Sequence, residues 1–309
     1  MMRDISIILV QNRPFHYGEL FCIGIPIFMF KWLLIIIFPS LLFTSLQAAP
    51  NEYFVLWARP VGMFSVFHEV LCLTRQYEQK NIAGFNISFG KTGLYYDTAY
   101  GPNWWKYYFE PLKVGNSKGK NIVTVHGDHP LTTPFSIENI VPRKELHALI
   151  KKYIRIRPNI LNAINNFQQT HFKNSYIIGV HYRGTDKQIE APRVPYKKVE
   201  LLIKEMLRRN VGKKCKIFIA TDEKAFIDFA IKTFGKNRVL YNKFAQRSTD
   251  GKCLHGGEKR YEQGKHALMD CVLLSRANVL IRTSSNLSLV STYFNPHLPV
   301  IELSKRHGQ

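Results

Sequence analysis

Apolar residues in the C-terminal half of the chain fall into two alternating patterns. Short apolar runs, typical of buried strands, alternate with longer stretches in which apolar residues recur at helical spacing. The pattern predicts strands over residues 177–180, 216–220, 238–241, 279–281 and 300–303, and helices over 199–209, 224–234, 264–275 and 284–294. Regular alternation of strands and helices predicts an α/β fold with a parallel sheet covered by helices on both faces.

The N-terminal half shows a similar but less regular pattern. It predicts strands over residues 52–57, 85–89 and 122–125, and helices over 68–79, 143–156 and 158–172. The amphipathic helices end near residue 170, just before the first strand of the C-terminal half. We therefore predict two domains, an N-terminal α/β domain over residues 50–170 and a C-terminal α/β domain with a parallel sheet over residues 171–309.

Residues 1–49 precede the first strand and form a leader that is excluded from the fold. Leu20 to Leu46 is strongly apolar and is interrupted by Lys31. This length is sufficient for a signal anchor that spans a membrane. Under that interpretation the protein is associated with a membrane through residues 20–46.

A second interpretation of the leader starts from Met29. A short basic segment, an apolar run over residues 33–43 and a cleavage region over residues 44–49 then have the proportions of a secretory signal peptide. Pro39 disfavours a long straight membrane helix, so the signal peptide is the favoured interpretation. We therefore predict that the protein enters the secretory pathway or is exported.

Composition limits the classes of partner. Of the 309 residues, 46% are hydrophobic and 21% are charged, which is the balance of a folded globular chain. The formal net charge of +21 favours anionic partners such as a membrane surface or a sugar nucleotide. The sequence contains no zinc-finger spacing, basic helical arm or aromatic RNA-binding signature, so we expect no nucleic acid as partner.

The five cysteines include no C-x-x-C pair, which argues against a structural zinc site. One or two disulfides are compatible with an oxidising compartment, and the sequence does not determine their pairing. Cys271 lies inside an apolar helical stretch, and we predict that it is a buried free thiol.

The segment from Ser175 to Glu190 contains the densest group of chemically useful residues. Its apolar run is followed by ionisable side chains, namely His181, Arg183, Asp186, Lys187 and Glu190. A buried strand that ends in polar groups is how open α/β sheets place chemistry at their carboxyl edge. Arginine offers a planar fork suited to phosphate, and the carboxylates can accept protons. The alternative interpretation is a solvated, charged loop.

Two further polar clusters follow strands of the same predicted sheet. One is Thr221-Asp222-Glu223, and the other is Thr283-Ser284-Ser285-Asn286, directly before a helix. Free N–H groups at a helix start, together with small hydroxyls, form an anion site suited to a diphosphate, although an ordinary N-cap is the alternative. Because all three clusters follow parallel strands, we expect them to converge at one edge of the sheet.

Two segments of the N-terminal half allow competing interpretations. The aromatic rings over residues 101–111 either stack on sugar rings or fill the core under a long loop, and the core is favoured. His126-Gly127-Asp128-His129 suggests a metal site, but no third ligand occurs at helix spacing, so a polar loop is favoured. We therefore predict no metal site.

The three C-terminal clusters together resemble a known family. HYRGTDK at 181–187, preceded by IIGV, resembles the H-x-R-x-T-D-K segment of the α1,6-fucosyltransferases, whose superfamily includes the nodulation fucosyltransferases and the protein O-fucosyltransferases. Residues 218–223 resemble the family's strand ending in A-T-D, and residues 267–288 resemble its helix, strand and serine-rich loop. A weaker match covers residues 61–111. The resemblance implies a GT-B-like fold of two facing Rossmann-like domains, the C-terminal one binding the sugar nucleotide and the N-terminal one facing the acceptor.

The resemblance also implies a binding site for a GDP-sugar. Its members in this chain are His181, Arg183, Asp186, Lys187, Asp222, Asp270, Ser284 and Ser285. Arg183 would neutralise the diphosphate in place of a metal ion, and the two serines would hold phosphate oxygens. The two aspartates 222 and 270 would lie near the nucleoside, and His181 would contact the nucleotide or position Arg183.

The implied reaction is an inverting, metal-independent transfer of fucose from GDP-fucose to a hydroxyl of a glycan or glycoprotein, with no cofactor. Glu190 is the candidate general base, and Arg183 is the second predicted catalytic residue. A catalytically inactive relative that binds a glycan or nucleotide is the alternative function. A basic protein that binds a membrane surface or nucleic acid is a third, for which association would depend steeply on salt.

One position departs from the family pattern. The α1,6-fucosyltransferases carry a second arginine where this chain has Gly184, which removes one guanidinium from the diphosphate site. Lys187, Arg193 or Arg282 could supply the missing charge. The other interpretations are a different donor or lost catalysis, and we interpret Gly184 as a sign of divergence.

Overall fold

The computed structural model of the chain describes residues 51–132, 137–185, 192–251 and 259–304. The leader predictions for residues 1–49 lie outside this range, as do three predicted site residues, Asp186, Lys187 and Glu190. Among the helices of the described ranges, none is both long enough and apolar enough to cross a membrane.

The first sheet has four strands in the order β3-β2-β1-β4. The strands are β1 (Glu52–Trp57), β2 (Gly84–Ser88), β3 (Lys113–Gly115) and β4 (Asn121–Val125). Strand β1 pairs in parallel with β2 and β4, and β3 runs antiparallel at the edge beside β2. The predicted strands of the N-terminal half are confirmed, and β3 is an addition that its short, mostly polar sequence did not reveal.

Within the described residues, five helices accompany this sheet. They are α1 (Met63–Glu78), α2 (Trp105–Tyr108), α3 (Ile137–Ile140), α4 (Arg143–Tyr153) and α5 (Pro158–His171), with a short 3-10 helix at Thr98–Tyr100. Trp104, Trp105, Tyr108 and Phe109 are almost completely buried. The aromatic run therefore fills the core, as the favoured interpretation predicts, and its rings are not open for stacking on a sugar.

The second sheet has five parallel strands in the order β7-β6-β5-β8-β9. The strands are β5 (Tyr176–Tyr182), β6 (Cys215–Thr221), β7 (Val239–Leu240), β8 (Val279–Arg282) and β9 (Val300–Glu302). The helices are α6 (Tyr196–Arg209), α7 (Lys224–Phe234), α8 (Arg260–Ser275) and α9 (Asn286–Phe294). The parallel α/β prediction is confirmed. The domain boundary at residues 170/171 stays a prediction, and the two sheets lie on either side of it in the sequence.

Side-chain alternation along the central strand β5 sorts the helices onto two faces. Ile178 and Val180 belong to the apolar cluster formed with α6 and α7. Ile177 belongs to the other cluster, which contains the apolar residues of α8 and α9 and extends into the first sheet's core. The second sheet is therefore covered on both faces, and the α8–α9 face packs toward the N-terminal half.

Three helices begin earlier than the sequence predicts, and α6, which starts at Tyr196 rather than at residue 199, differs least. Helix α1 starts at Met63 rather than at His68, because Met63, Phe64 and Phe67 form a buried helical face. Helix α8 starts at Arg260 rather than at residue 264. Its first turn is mostly polar and is held by a long-range contact, in which the ring of Tyr261 stacks on that of Tyr100 with 3.9 Å between centroids.

The carboxyl edges of the two sheets meet at the starts of α1 and α8. Gly264 in α8 packs so closely on the first half of the chain that an added Cβ would overlap Tyr108 Oη and lie 2.9 Å from Met63 Cε. Tyr108 also donates to the carbonyl oxygen of Tyr261 at 3.1 Å. Helices that connect parallel strands begin at the carboxyl edge of the sheet, so this contact brings the two carboxyl edges toward each other.

Cys271 in α8 is fully buried, and its sulfur accepts a hydrogen bond from the hydroxyl of Ser291 in α9, with 3.6 Å between the two atoms. Burial raises the pKa of its thiol. The prediction of a buried free thiol at this position is confirmed.

Candidate functional site

The carboxylate of Asp222 holds residues 183–185, the segment directly after β5, which we call the Arg183 turn. Asp222 Oδ2 lies 3.0 Å from Nε of Arg183, and Oδ1 accepts the backbone N–H of Gly184 at 3.1 Å. The hydroxyl of Thr185 donates to the same carboxylate at 2.6 Å. Since Asp222 follows the neighbouring strand β6, the first two predicted clusters do converge. The prediction that Asp222 lies near a nucleoside remains a prediction, and its observed contacts are with the Arg183 turn.

The third cluster joins the same turn from β8. The hydroxyl of Thr283 accepts the backbone N–H of Arg183 at 2.9 Å, and the Thr283 N–H donates to the His181 carbonyl at 3.0 Å. His181 is buried and lies in register with Arg282 across the β5–β8 pair. All three clusters therefore meet at the carboxyl edge of β6, β5 and β8.

The serine segment leads into α9 without a side-chain cap. Ser285 occupies the N-cap position, but its hydroxyl makes no capping hydrogen bond within the described residues. The backbone N–H of Ser284 donates to the hydroxyl of Ser304 at 3.0 Å. The alternative interpretation of this segment as an ordinary N-cap is therefore correct in position, but not in a side-chain hydrogen bond. The Ser285 side chain therefore does not accept from the N–H groups of the first turn of α9. A bound anion could accept from those N–H groups instead.

The structure also gives a physical reason for glycine at position 184. A Cβ at this position would overlap the carboxylate of Glu223, lying only 2.6 Å from its Oε2. Glu223 is buried and is held by Arg193, at 2.9 Å, and by the hydroxyl of Tyr196, at 2.5 Å. Nη1 of Arg193 also donates to the Gly184 carbonyl at 2.9 Å. The carboxylate of Glu223 thus occupies the space that any side chain at position 184 would need.

Of the three residues considered as substitutes for the missing charge, Arg193 lies beside the Arg183 turn. Arg282 is buried, and its Nε donates to Glu302 at 2.9 Å, while its Nη1 has no hydrogen-bond partner within the described residues. Lys187 is outside the described residues. Sequence reasoning did not assign a role to Glu223 or Tyr196, because their contacts with Arg193 form only when the fold brings the β6–α7 junction to the start of α6.

Asp270 is buried in α8, outside the hydrogen-bond network of the Arg183 turn. Burial raises the pKa of its carboxyl to about 7, against an opposing effect of Arg247. Its Oδ1 has no hydrogen-bond partner within the described residues. A buried carboxylate oxygen of this kind is suited to accept from donors of a ligand. The predicted position of Asp270 near a nucleoside stays a prediction.

Arg247 is the cation whose charge opposes the rise in the Asp270 pKa, and sequence reasoning did not identify it. Its guanidinium donates to the carbonyl oxygens of Asn242, at 2.9 Å, and Ala245, at 3.0 Å, and lies 5.1 Å from the ring centroid of Tyr241. Burial lowers its pKa. Its position in a long polar loop gave no periodic signal that could have identified it.

The carboxyl edge of the first sheet carries a separate charged group. Arg59 donates through Nε and Nη2 to Oε1 of buried Glu69, at 3.1 and 2.5 Å, and burial raises the pKa of that glutamate. Gly127 packs directly against this pair. The segment after β4 is a hydrogen-bonded turn, in which the His129 N–H donates to the His126 carbonyl at 3.0 Å. Among the described residues, no group of three or more His, Cys, Asp or Glu side chains could hold a metal ion.

Comparison with solved structures identifies similar folds. A NodZ α-1,6-fucosyltransferase structure co-crystallised with GDP matches with a TM-score of 0.54 and 20% identity, over 81% of this chain and 94% of that one. A NodZ structure soaked with GDP-fucose matches with a TM-score of 0.55, also at 20% identity and with the same coverage. POFUT1 in complex with GDP matches with a TM-score of 0.51 and 11% identity, over 83% of this chain and 99% of that one.

No family model and no curated protein matches the sequence itself. The structural matches extend over both sheets, because they cover more than four-fifths of the chain. The chain therefore has the GT-B-like α/β fold of the fucosyltransferases NodZ and POFUT1.

Proposed function

We propose that the protein is an inverting, metal-independent glycosyltransferase that transfers fucose from GDP-fucose to a hydroxyl group of a glycan or glycoprotein. The observation that supports this most directly is the convergence of Arg183, Asp222 and Thr283 at one sheet edge. The similar folds belong to fucosyltransferases whose structures include GDP and GDP-fucose. We also propose that the leader directs the protein into the secretory pathway.

In the proposed reaction, the bond between the anomeric carbon and the β-phosphate oxygen breaks while the acceptor oxygen attacks from the opposite face. Arg183 balances the negative charge that develops on the departing GDP, and the uncapped N-terminus of α9 donates to the phosphate oxygens. Asp222 and Thr283 fix the Arg183 turn, so little reorganisation is needed when the charge develops. Glu190 is the proposed base that takes the proton of the acceptor hydroxyl.

Asp270 is proposed to bind the nucleobase. Guanine presents an N1–H and an exocyclic amine, two adjacent donors that a single carboxylate can accept. A buried carboxylate with an oxygen that lacks a partner gains most from such donors, because leaving it unpaired costs about 1–3 kcal/mol. A base that turned an acceptor atom toward Asp270 would leave the carboxylate oxygen unpaired. The site would therefore favour guanine over such a base.

Thermal unfolding of the full chain with GDP, GDP-fucose, GDP-mannose or UDP-sugars, with and without EDTA, tests the proposed donor site. Ligand present at 100 times its Kd should stabilise the protein by about 2.7 kcal/mol. We expect the GDP compounds to raise Tm equally with and without EDTA. Arg183→Ala should abolish the shift, whereas Arg208→Ala, which removes an exposed arginine of α6, should retain it.

Failure of every nucleotide to stabilise the wild-type protein would contradict the donor site. A shift that disappears in EDTA would contradict the metal-independent mechanism alone. The second candidate function, a catalytically inactive nucleotide or glycan binder, is favoured by Gly184 and the acid beside it. Release of GDP from GDP-fucose by the wild-type protein in the presence of EDTA distinguishes the enzyme from the inactive binder.

A further inference from the structure

The amino edge of the second sheet, opposite the proposed donor site, carries a basic surface with an apolar tip. We call it the Val211 surface, and it consists of residues 210–217 and 235–239, which contain the starts of β6 and β7. These two segments include no acidic residue and five basic ones, namely Lys213, Lys214, Lys216, Lys236 and Arg238. All five are exposed except Lys216, which is half-buried. A surface of one charge sign favours an anionic partner.

Strand pairing and side-chain contacts hold these charges together. Strands β5, β6 and β7 are parallel neighbours, so adjacent strands lie about 4.8 Å apart along this edge. Nζ of Lys213 lies 4.8 Å from the ring centroid of Tyr176, the first residue of β5. Nζ of Lys216 donates to the backbone carbonyl of Asn237, which directly precedes Arg238. The basic residues therefore form one surface across three strands.

Val211 lies at the tip of the tight turn between α6 and β6. The Lys213 N–H closes this turn by donating to the Asn210 carbonyl at 3.1 Å, and Gly212 has the positive φ, 87°, that glycine readily adopts in the third position. Buried Asn210 anchors the turn, because its Nδ2 donates to the Met206 carbonyl at 2.9 Å. Val211 itself is 85% exposed. A fixed turn thus presents an apolar side chain beside basic residues.

Helix stabilisation does not account for this charge. Basic residues in the last turn of a helix interact favourably with its dipole. That explanation suits Arg208 and Arg209 at the end of α6, both of which also pair with Glu205. Lys214 and Lys236 lie beyond the ends of α6 and α7. Their charge is therefore available to a partner.

We propose that the Val211 surface docks the protein onto a lipid bilayer that contains anionic lipids. Basic residues are attracted to such a bilayer, and an apolar side chain gains free energy by entering the boundary between headgroups and acyl chains. A nucleic acid would satisfy the charge but would gain nothing from Val211. Neither segment has an exposed aromatic ring on which bases could stack. The combination of charge and an exposed aliphatic side chain therefore favours a bilayer.

Docking at this edge would leave the proposed donor site open. Arg183, Asp222 and Thr283 meet at the carboxyl ends of the strands, and the seven residues of β6 separate the two edges by roughly 20 Å. The bilayer and a nucleotide would therefore not compete for the same residues, and the inference does not depend on the proposed function.

Co-sedimentation of the full chain with vesicles tests the proposal. One set of vesicles contains phosphatidylcholine alone, and the other contains phosphatidylcholine mixed with phosphatidylserine. We expect stronger partitioning into the anionic vesicles, and molar salt, which shortens the Debye length to about 3 Å, should remove the difference. Residues 1–49 are present in both measurements, so binding of the leader to neutral lipid cancels in the ratio of the two partition coefficients.

Two matched pairs of lysines locate the preference for anionic lipid. The double variant Lys214→Gln, Lys236→Gln should lower the ratio about 30-fold, because each basic residue near an anionic surface contributes about 1 kcal/mol. The double variant Lys106→Gln, Lys118→Gln removes the same charge from exposed positions of the first half, and should leave the ratio unchanged. An unchanged Tm shows that each variant is folded.

A second matched pair tests the apolar tip. Val211→Ser should weaken partitioning into anionic vesicles about tenfold, because burying a valine side chain contributes about 1.5 kcal/mol. Ile140→Ser changes an aliphatic residue of α3 that is 70% exposed, and should bind as the wild-type protein does.

Four results would overturn the proposal. They are equal partitioning of the wild-type protein into both kinds of vesicle, an equal loss in the two lysine variants, and unchanged binding by Val211→Ser. The fourth is binding of single-stranded RNA without binding of vesicles, if Lys214→Gln, Lys236→Gln abolishes it, which would assign the surface to a nucleic acid.

Discussion

Replacing Gly184 with alanine should displace the buried carboxylate of Glu223. The new methyl group would lie 2.6 Å from Oε2 and closer still to Oε1, well inside van der Waals contact. Real structures do not tolerate such approaches, so either Glu223 or the Arg183 turn must move. Since the turn is bonded to Asp222 and Thr283, we expect Glu223 to move first.

The magnitude follows from the bonds that Glu223 would lose. Its hydrogen bond from Tyr196 is shielded from solvent and involves a charged acceptor, so losing it costs about 1.5–3 kcal/mol. The ion pair with Arg193 contributes less, up to about 1 kcal/mol, because Arg193 is 42% exposed. We therefore expect Gly184→Ala to lower the free energy of unfolding by about 2–3 kcal/mol, or Tm by roughly 4–6 °C.

Thermal unfolding of Gly184→Ala, Glu223→Ala and the double variant measures this effect. In the double variant the methyl group has space, so its Tm should match that of Glu223→Ala, and the two effects should not add. Gly90→Ala is the matched control, because its nearest atom would be 3.8 Å away. An unchanged Tm for Gly184→Ala, or additive effects in the double variant, would refute the reasoning.

Two further predictions concern α8. Since burial raises the pKa of Asp270 to about 7 and donors from a ligand favour its ionised form, the affinity for GDP-fucose should rise with pH up to about 7 and then level off. GDP-fucose is used because its esterified phosphates do not titrate in this range, unlike the terminal phosphate of GDP. Calorimetric titration with GDP-fucose between pH 5.5 and 8.5 should show this rise for the wild-type protein and a flat profile for Asp270→Asn; a rise in the variant would contradict the assignment. Gly264→Ala should lower stability by about 1–3 kcal/mol through its overlap with Oη and Cζ of Tyr108. Tyr108→Leu removes both atoms, so the effects of the two substitutions should not add in the double variant. Additive effects in urea unfolding would mean that the Tyr108 ring is not the limiting contact.

The sequence was most informative where local pattern and tertiary structure agree. Helix α7 spans the predicted residues 224–234, and each parallel strand begins and ends within two residues of its prediction. Convergence of Arg183, Asp222 and Thr283 followed from topology alone, because parallel strands end at the same sheet edge.

The remaining features depend on contacts between residues distant in sequence. The first turn of α8 has little apolar pattern and is held by Tyr261 against Tyr100, so only the fold reveals it. Glu223 and Arg193 are 30 residues apart, and charged residues in loops do not show periodicity. Exposure of Trp57 was equally hidden, because an aromatic residue in a strand is ordinarily expected in the core.

The pairing of arginines with acids at the two sheet edges affects how an anion would enter. Four arginines at these edges each contact a carboxylate, namely Arg59, Arg183, Arg193 and Arg282. Their positive charge is therefore balanced locally, in contrast to the large net positive charge of the whole chain. An incoming diphosphate would have to compete with those carboxylates for the guanidinium groups. Chloride or another monovalent ion, which offers one contact, would be a poor competitor, whereas a ligand with several oxygens could displace or share the internal partner. Internal pairing therefore lets the edge fold without the repulsion of uncompensated charge, and a small monovalent anion would gain little by breaking it.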